Sequence, residues 1–336
     1  MRRLTIPVLI LLTAILFLAS LYFGSVHIPV STVTDVLTGN CTGQNPLQYI
    51  ILESRLPQAL TAMFCGASLA TAGLLLQTSF ANPLAGPSIL GIDCGANLGV
   101  AITILLLGGG ISTGNITMTG FTLIILAALI GAMIVTSLLL MLNQMLRNNV
   151  MLLVSGIMLS YICSSIIALL NYKATAEGVQ GFMRWGMGSF SAVSNDSLPW
   201  FCGMSALGIG CALLLVKPLN ALLLGDNYAR NLGVNIRRTR SLLLLTTGLL
   251  TAVCTAFCGP ISFLGLAVPH IAKLMVTSNN HRILMPATIL TGSSLALICN
   301  IVCTAPFSTS VIPINVITPI IGAPVVLWVI LKRNNA

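Results

Sequence analysis

Apolar residues occur along this chain in repeated runs of roughly twenty, and short stretches rich in Gly, Pro and charged residues separate the runs. A helix needs about twenty apolar residues to cross the hydrocarbon core of a bilayer, so the pattern predicts an all-α polytopic membrane protein. About ten such segments can be recognised, at residues 4–23, 56–80, 91–108, 118–142, 150–170, 199–216, 241–258, 261–272, 283–303 and 311–331. The eighth segment is short for a full span, which predicts a broken or tilted half-helix.

The composition agrees with this pattern, because 56% of the 336 residues are hydrophobic and only 6% are charged. If the N-terminus is cytoplasmic, ten spans place both termini on that side. Twelve of the 15 Lys and Arg residues are then cytoplasmic: Arg2, Arg3, Arg147, Lys217, Arg230, Arg237, Arg238, Arg240, Lys273, Arg282, Lys332 and Arg333. This asymmetry predicts a multi-pass membrane protein with both termini cytoplasmic. The net charge of +9 therefore indicates topology and not nucleic-acid binding.

The N-terminus also has features of a secretory signal, since Arg2 and Arg3 precede an apolar core and the small residues Ala19 and Ser20. The apolar run continues to Phe23, however. We therefore expect the first helix to be retained.

The residue types that form enzyme and metal sites are sparse or poorly placed. Nine of the ten cysteines lie in or beside apolar segments, and the pairs Cys254/Cys258 and Cys299/Cys303 have no His within four residues. Such cysteines are typical of small core side chains, whereas Cys41 is expected to face the outer compartment. No nucleophile with a base, no paired carboxylates and no Gly-x-x-x-x-Gly-Lys-Ser/Thr loop occurs. We expect that the chain is not an enzyme and holds no cofactor, and that any ATP hydrolysis is supplied by a partner.

Asp93 is the one acidic residue close to an apolar segment, at the start of the third. It can act as a helix N-cap or first-turn charge, or as a proton site for transport. The sequence leaves both interpretations open.

Small residues recur every four positions in the second segment, at Ala62, Gly66 and Ala70, with Gly73 close by. This spacing predicts a face on which neighbouring helices pack closely.

Two groups of helix breakers interrupt the apolar pattern. Pro83 and Pro87 follow the second segment, and Gly259-Pro260 precedes the short eighth segment. Each group could form an ordinary loop, but interrupted helices are a recurring device in transporters.

Residues 225–240 form a charged island between two long apolar stretches, with four arginines and one aspartate. Asp226 can serve as the N-cap of a short helix and Gly233 as the left-handed residue that ends it. Asn235 can then cap the next helix, whose first turns carry Arg237, Arg238 and Arg240. A helix N-terminus disfavours cations, so topology must place them there.

Several motifs follow one another in the order found in FecCD-type permeases of ABC importers, which the chain resembles. They are Arg55-Leu56-Pro57, Gly66-Ala67-Ser68-Leu69-Ala70, Asn82-Pro83-Leu84-Ala85, Gly225-Asp226, Ala229-Arg230, Leu232-Gly233-Val234, Gly259-Pro260-Ile261, Val268-Pro269-His270-Ile271 and Gly322-Ala323-Pro324. Permeases of this family take up iron-siderophores, haem and vitamin B12.

The resemblance implies a type II ABC importer permease, with residues 1–336 as a single ten-helix transmembrane domain that forms a homodimer. A coupling loop, at about residues 217–240 here, would dock on a pair of cytoplasmic ATP-binding subunits. Asp226, Arg230 and Gly233 match the family motif and are the expected coupling residues. A plain solvated loop is the alternative interpretation.

At the outer face, Arg55 matches an arginine that pairs with acids of a periplasmic substrate-binding protein; an anchor at the membrane interface is its alternative role. The chain departs from the family at Gln58, at Thr304 and at 311–315, where relatives carry a second arginine, a further basic residue and Glu-Leu-Pro-x-Gly. Arg184 or Lys173 is expected to compensate in docking.

The family pathway is lined by the fifth and tenth segments, and the turn before the fifth forms the inner gate. Here that turn is Arg147-Asn148-Asn149. Asn148 and Asn149 could hydrogen-bond across a twofold axis and close the pore, or could simply cap a helix.

The function expected from sequence is transport of an iron chelate, a ferric siderophore or haem, across the inner membrane with a partner's ATP hydrolysis. Cobalamin is the alternative substrate within the family. An ion-coupled secondary transporter is the alternative class, which the scarcity of intramembrane acids disfavours.

Overall fold

The structure is a computed structural model that describes residues 2–24, 26, 28–38, 46–108, 110–113, 116–146, 149–304 and 312–334. Its α-helices are α1 (Arg2–Tyr22), α2 (Val30–Thr38), α3 (Pro46–Tyr49), α4 (Leu56–Ser79), α5 (Ile92–Ala101), α6 (Phe121–Met145), α7 (Asn149–Lys173), α8 (Ala176–Gly186), α9 (Leu198–Leu214), α10 (Val216–Leu222), α11 (Asp226–Asn231), α12 (Ile236–Cys258), α13 (Leu264–Val276), α14 (His281–Thr304) and α15 (Ile314–Asn334). Two π-helical turns, Ile50–Arg55 and Ile102–Leu106, lie before α4 and after α5, and a 3-10 turn spans Phe190–Ala192. A short antiparallel hairpin pairs β1 (Gly110–Thr113) with β2 (Ile116–Thr119).

The all-helical class is confirmed apart from this hairpin, and a helix lies in each of the ten predicted segments. Among the described residues, six helices are long and apolar enough to cross a membrane, or seven if the bent pair α9–α10 is one span. Ile92–Leu106, Leu264–Val276 and Ile314–Trp328 are shorter apolar helices. The expected short eighth segment is therefore α13, which has 13 residues.

Helix α4 lies at the centre of the bundle, where small residues let backbones approach one another. A Cβ atom on Gly66 would lie 2.2 Å from the carbonyl oxygen of Gly292 in α14. A Cβ atom on Gly73 would lie 1.7 Å from the carbonyl oxygen of Gly265 in α13. The close-packing face predicted for this segment is therefore confirmed, and it contacts two different helices.

The two groups of helix breakers meet in the structure. Gly91 starts α5 and Phe263 precedes α13, both with left-handed backbone conformations. A Cβ atom on Gly265 would lie 3.1 Å from the ring of Pro87, and a cavity of about 220 Å³ separates the two broken segments. The two breaker segments are therefore neighbours in the bundle, and their interpretation as interrupted helices stays a prediction.

The bundle has two chemically distinct ends, which we name after a helix at each. At the α11 end, an apolar cluster joins α1, α4, α10, α12 and α14 through residues such as Leu9, Leu219 and Leu284. At the α8 end, Arg55 lies beside the last residues of α1, and Asn315 of α15 contacts the last turn of α8. The N-terminus of α1 and the charged island thus lie at the same end, as the charge distribution predicted.

Candidate functional site: the loop at the α11 end

Helices α10 and α11 form the loop between α9 and α12. Helix α10 bends away from α9 by 51°. Gly225, with φ 94°, lies between α10 and α11 and takes the N-cap position of α11. The predicted N-cap role of Asp226 is therefore wrong, because Asp226 is the first helical residue.

The carboxylate of Asp226 instead binds an arginine of the next helix. Nη2 of Arg240 lies 2.9 Å from Oδ1 and 2.7 Å from Oδ2 of Asp226. The Arg240 side chain is 12% exposed and that of Asp226 is 44% exposed, so solvent only partly screens the pair. This ion pair joins the first turn of α11 to the second turn of α12.

The other two local predictions are confirmed. Gly233 has φ 82° and follows α11, with Gly233 N–H donating to the Arg230 carbonyl at 2.9 Å and Val234 N–H to the Ala229 carbonyl at 3.0 Å. This hydrogen-bond pair is the Schellman ending of a helix, which favours Gly at the left-handed position. Asn235 caps α12 by accepting a hydrogen bond from Arg238 N–H at 3.1 Å.

One face of α11 packs against the bundle and the other is exposed. Ala229 is fully buried in the cluster that contains Leu219 and Ile236. Three apolar side chains at four-residue spacing are exposed, Leu224 by 61%, Tyr228 by 55% and Leu232 by 58%. Arg230, in the last turn of α11, is also exposed.

These exposed apolar side chains were not predicted from the sequence. Their four-residue spacing was not a usable signal, because only Tyr228 lies within α11, whereas Leu224 precedes its N-cap Gly225 and Leu232 is its C-cap. The ion pair between Asp226 and Arg240 could not be found in this way either, since its partners lie on different helices.

A buried polar cluster attaches α10 to the bundle. Oδ1 of Asn220 accepts a hydrogen bond from the backbone N–H of His281 at 2.8 Å and lies 3.0 Å from its Nδ1. Nε2 of His281 is 2.8 Å from the hydroxyl of Thr78 at the end of α4. His281 is 1% exposed. A shift of α10 would therefore act on α4 and α14 together.

A cavity of about 820 Å³ lies beside this cluster. Its wall includes Leu222 and Leu223 of α10, His270 and Lys273 of α13, and Trp328 of α15. The loop at 217–240 therefore adjoins both the packed core and an open space at the α11 end.

The predicted docking residues at the α8 end differ in accessibility. Arg184 is exposed in the last turn of α8, as docking requires. Arg55 is only 6% exposed and donates hydrogen bonds to the carbonyls of Leu21 at 2.8 Å, Tyr22 at 2.9 Å and Val26. This placement does not support the docking role predicted for Arg55, because its donors are used inside the chain.

The predicted gate is only partly described. Arg147 and Asn148 lie outside the described residues, as do Cys41 and His27, and Asn149 is the first residue of α7. Helix α7 has little burial along its length and exposes the polar side chains of Ser164 and Ser165 near its middle, beside Tyr161, which is 66% exposed.

Asp93 lies in the first turn of α5, as one of its two interpretations predicted, and is 7% exposed. The Ser88 hydroxyl donates to Oδ2 at 2.6 Å and the Thr255 hydroxyl to Oδ1 at 3.0 Å. These bonds tie α5 to the first helix break and to α12.

The cysteines Cys254 and Cys258 are buried in α12, which confirms their prediction as core side chains.

Comparison with known proteins agrees with this geometry. The chain is 36% identical over 289 residues to the vitamin B12 import system permease protein BtuC of Klebsiella pneumoniae subsp. pneumoniae, which covers 86% of this chain and 84% of that protein. It is 34% identical over 295 residues to BtuC of Salmonella typhi, covering 85% of this chain and 84% of that protein.

Among solved structures, a protein assigned as a metal-chelate type ABC transporter, in an inward-facing conformation, matches with a TM-score of 0.84 and 29% identity. The match covers 97% of this chain and 98% of that one. The sequence profile of the FecCD transport family matches residues 12–332. The chain therefore belongs to the FecCD transport family, as a permease of an ABC importer.

Proposed function

We propose that two copies of this chain form an import pathway through the inner membrane, and that a pair of ATP-binding subunits docks on residues 217–240. In this arrangement each copy crosses the membrane ten times, with the α11 end and both termini in the cytoplasm. A periplasmic substrate-binding protein docks at the α8 end, where Arg184 is exposed.

The shape of α11 is the observation that carries the proposal. Its inner face is held to the bundle by Ala229 and by the Asp226–Arg240 pair, and Tyr228, Arg230 and the C-cap residue Leu232 are exposed. A helix held in this way can be displaced by a cytoplasmic partner while it stays packed against the bundle. The contacts of Asn220 with His281 then carry the movement of α10 to α14.

Two exposed hydroxyl groups on the otherwise mainly apolar surface of α7 support its predicted place along the pathway. Polar side chains are unfavourable in contact with lipid, so Ser164 and Ser165 are better placed against water or a second copy of the chain. We propose that α7 and α15 of the two copies enclose the pathway, and that Asn148 and Asn149 meet at its inner end as the gate.

The proposed substrate is a bulky metal chelate. A ferric siderophore or haem is the prediction from sequence, and the metal-chelate assignment of the similar solved structure is compatible with it. Cobalamin is an equally good candidate, because the BtuC relatives are named as vitamin B12 permeases.

The test is uptake into vesicles that contain this chain together with its proposed ATP-binding subunit and binding protein. Labelled ferric siderophore, haem and cobalamin are offered separately, with ATP or a non-hydrolysable analogue inside the vesicles. We expect ATP-dependent accumulation of one ligand, which identifies the substrate. Accumulation of none of the three with an assembled complex would contradict the proposed substrate class.

A further inference from the structure

Asn315, the second residue of α15, binds three backbone groups outside its own helix through its side chain. Its side-chain nitrogen donates to the carbonyl of Gly186 at 3.1 Å and to the carbonyl of Pro260. Its side-chain oxygen accepts from Ser262 N–H at 3.1 Å. Its backbone N–H also donates to the carbonyl of Met187 at 3.3 Å. One residue thus connects the end of α8, the break between α12 and α13, and the start of α15.

An amide side chain matches this set of partners, because it supplies two N–H donors and one acceptor. The site is also tight. A Cβ atom on Gly188 would lie 3.2 Å from the carbonyl oxygen of Pro260 and 3.4 Å from Nδ2 of Asn315. Ser189 N–H donates to the carbonyl of Cys258 at 2.8 Å, so the turn after α8 lies directly on the helix break.

Helix α8 lies at the surface of the bundle and is held by a few contacts. None of the residues Ala176–Gly186 is fully buried, and its apolar contact with the core comes from the partly buried Phe182 and Trp185. On the side of its first turns, Gly178 and Gly181 approach Ile104 of the preceding π turn. At its other end the polar contacts with Asn315 hold the last turn.

We propose that Asn315 is a positioning residue that fixes the last turn of α8 to the α12–α13 break and to the start of α15. A protein docked on the exposed face of α8 would then act on α12, α13 and α15 together. The positioning part rests on geometry alone, whereas the docking part rests on the proposed function.

Hydrogen–deuterium exchange of the full chain in lipid nanodiscs tests the positioning part. In Asn315→Ala we expect backbone exchange to rise roughly tenfold in peptides covering 185–190 and 258–263, because each lost hydrogen bond opens its segment several-fold. In Asn315→Asp a side-chain acceptor remains, so the N–H of Ser262 should stay protected from exchange. Both side-chain donors to the carbonyls of Gly186 and Pro260 are lost, so the turn after α8 should open more often and the N–H of Ser189 should exchange faster.

Asn195→Ala is the matched control, since it removes an amide that donates to Glu53 at 2.6 Å elsewhere at the α8 end. Asn195→Ala should leave the exchange rates of both peptides unchanged. Unaltered exchange at 185–190 in both Asn315 variants, or an equal rise in the control, would overturn the positioning role.

The docking part is tested by ATP hydrolysis in the reconstituted complex with and without the binding protein. Asn315→Asp should lower the stimulated rate several-fold and leave the basal rate unchanged. A normal stimulation together with faster exchange would overturn the docking part alone. Absence of stimulation in the unmodified complex would count against the proposed function, and the exchange rates would still decide whether Asn315 positions α8.

Discussion

At the scale of single residues, long-range partners decide what the charged side chains do. Asp226 was predicted as an N-cap because Asp favours that position, but Gly225 occupies it and Arg240 takes the carboxylate. Arg55 was predicted to face a docking partner, but the end of α1 offers it backbone carbonyls. Neither partner can be read from neighbouring sequence, since both depend on how distant helices pack.

Reversing the charges of Asp226 and Arg240 together should restore an ion pair between the two positions. Each single reversal, Asp226→Arg or Arg240→Asp, should lower ATP-dependent uptake by leaving two like charges together. The double reversal should restore much of it, with a coupling energy of about 0.5–1 kcal/mol for a partly exposed pair. Arg237→Asp, an exposed neighbour on α12, is the control that should not be rescued by Asp226→Arg. Strictly additive effects in the double variant would contradict a direct pair.

Gly233 is needed for its backbone conformation and not for space, because nothing lies within 4 Å of a Cβ atom placed there. Gly233→Ala should destabilise the end of α11 by about 1–2 kcal/mol, the cost of a left-handed conformation with a Cβ atom. Gly233→Asn should cost less, since Asn tolerates this conformation.

Protease cleavage rates of the 225–240 segment report this difference. Gly210→Ala, at an open position within α9, should leave the rates at the parent value. Equal cleavage of the Ala and Asn variants would contradict the conformational explanation.

At the scale of elements, the spacing of residues along the sequence predicted a packing face, but it did not predict which helices that face contacts. The four-residue spacing of small residues correctly marked the packing face of α4. The sequence did not indicate that Gly66 would meet α14 and Gly73 would meet α13. Helix α12 begins at Ile236, although the apolar run was placed from 241, because Arg237, Arg238 and Arg240 interrupt the apolar pattern in its first turns.

Gly73→Ala should separate α4 from α13, since the added Cβ atom would lie 1.7 Å from a backbone oxygen that cannot move alone. We expect a loss of about 3 kcal/mol or more, at or above the upper end for overpacked cores. The apparent melting temperature of the purified chain in detergent should fall sharply. Gly203→Ala, with open space around it in α9, is the control and should not lower it. An unchanged melting temperature in the Gly73 variant would show that the two backbones are not in contact.

At the scale of the whole molecule, the order of motifs was more informative than any one of them. Their sequence identified the family, which the match over residues 12–332 confirms. The apolar pattern predicted ten helical segments, yet α8, α10 and α11 were not apolar enough to appear as segments. The structure contains one copy of the chain, so the arrangement of two copies stays a prediction.

The proposed pathway predicts a difference in water accessibility between two exposed helix faces. Ser164→Cys, near the middle of α7, should react with a membrane-impermeant thiol reagent in the assembled complex. Ile130→Cys, 57% exposed on the apolar helix α6, should react far more slowly because it faces lipid. The parent chain gives the background from its own cysteines. Equal reactivity at both positions would contradict a pathway along α7.

The central claim is that energy from a partner's ATP hydrolysis enters this chain through residues 217–240. The most direct measurement is substrate uptake by the reconstituted complex with Arg230→Glu, whose position is exposed in the last turn of α11. It is compared with Arg282→Glu, an exposed site at the start of α14. We predict that uptake requires ATP, persists when ion gradients are dissipated, and falls at least tenfold only in Arg230→Glu while the complex still assembles. Uptake that continues without ATP and follows an ion gradient would contradict the account.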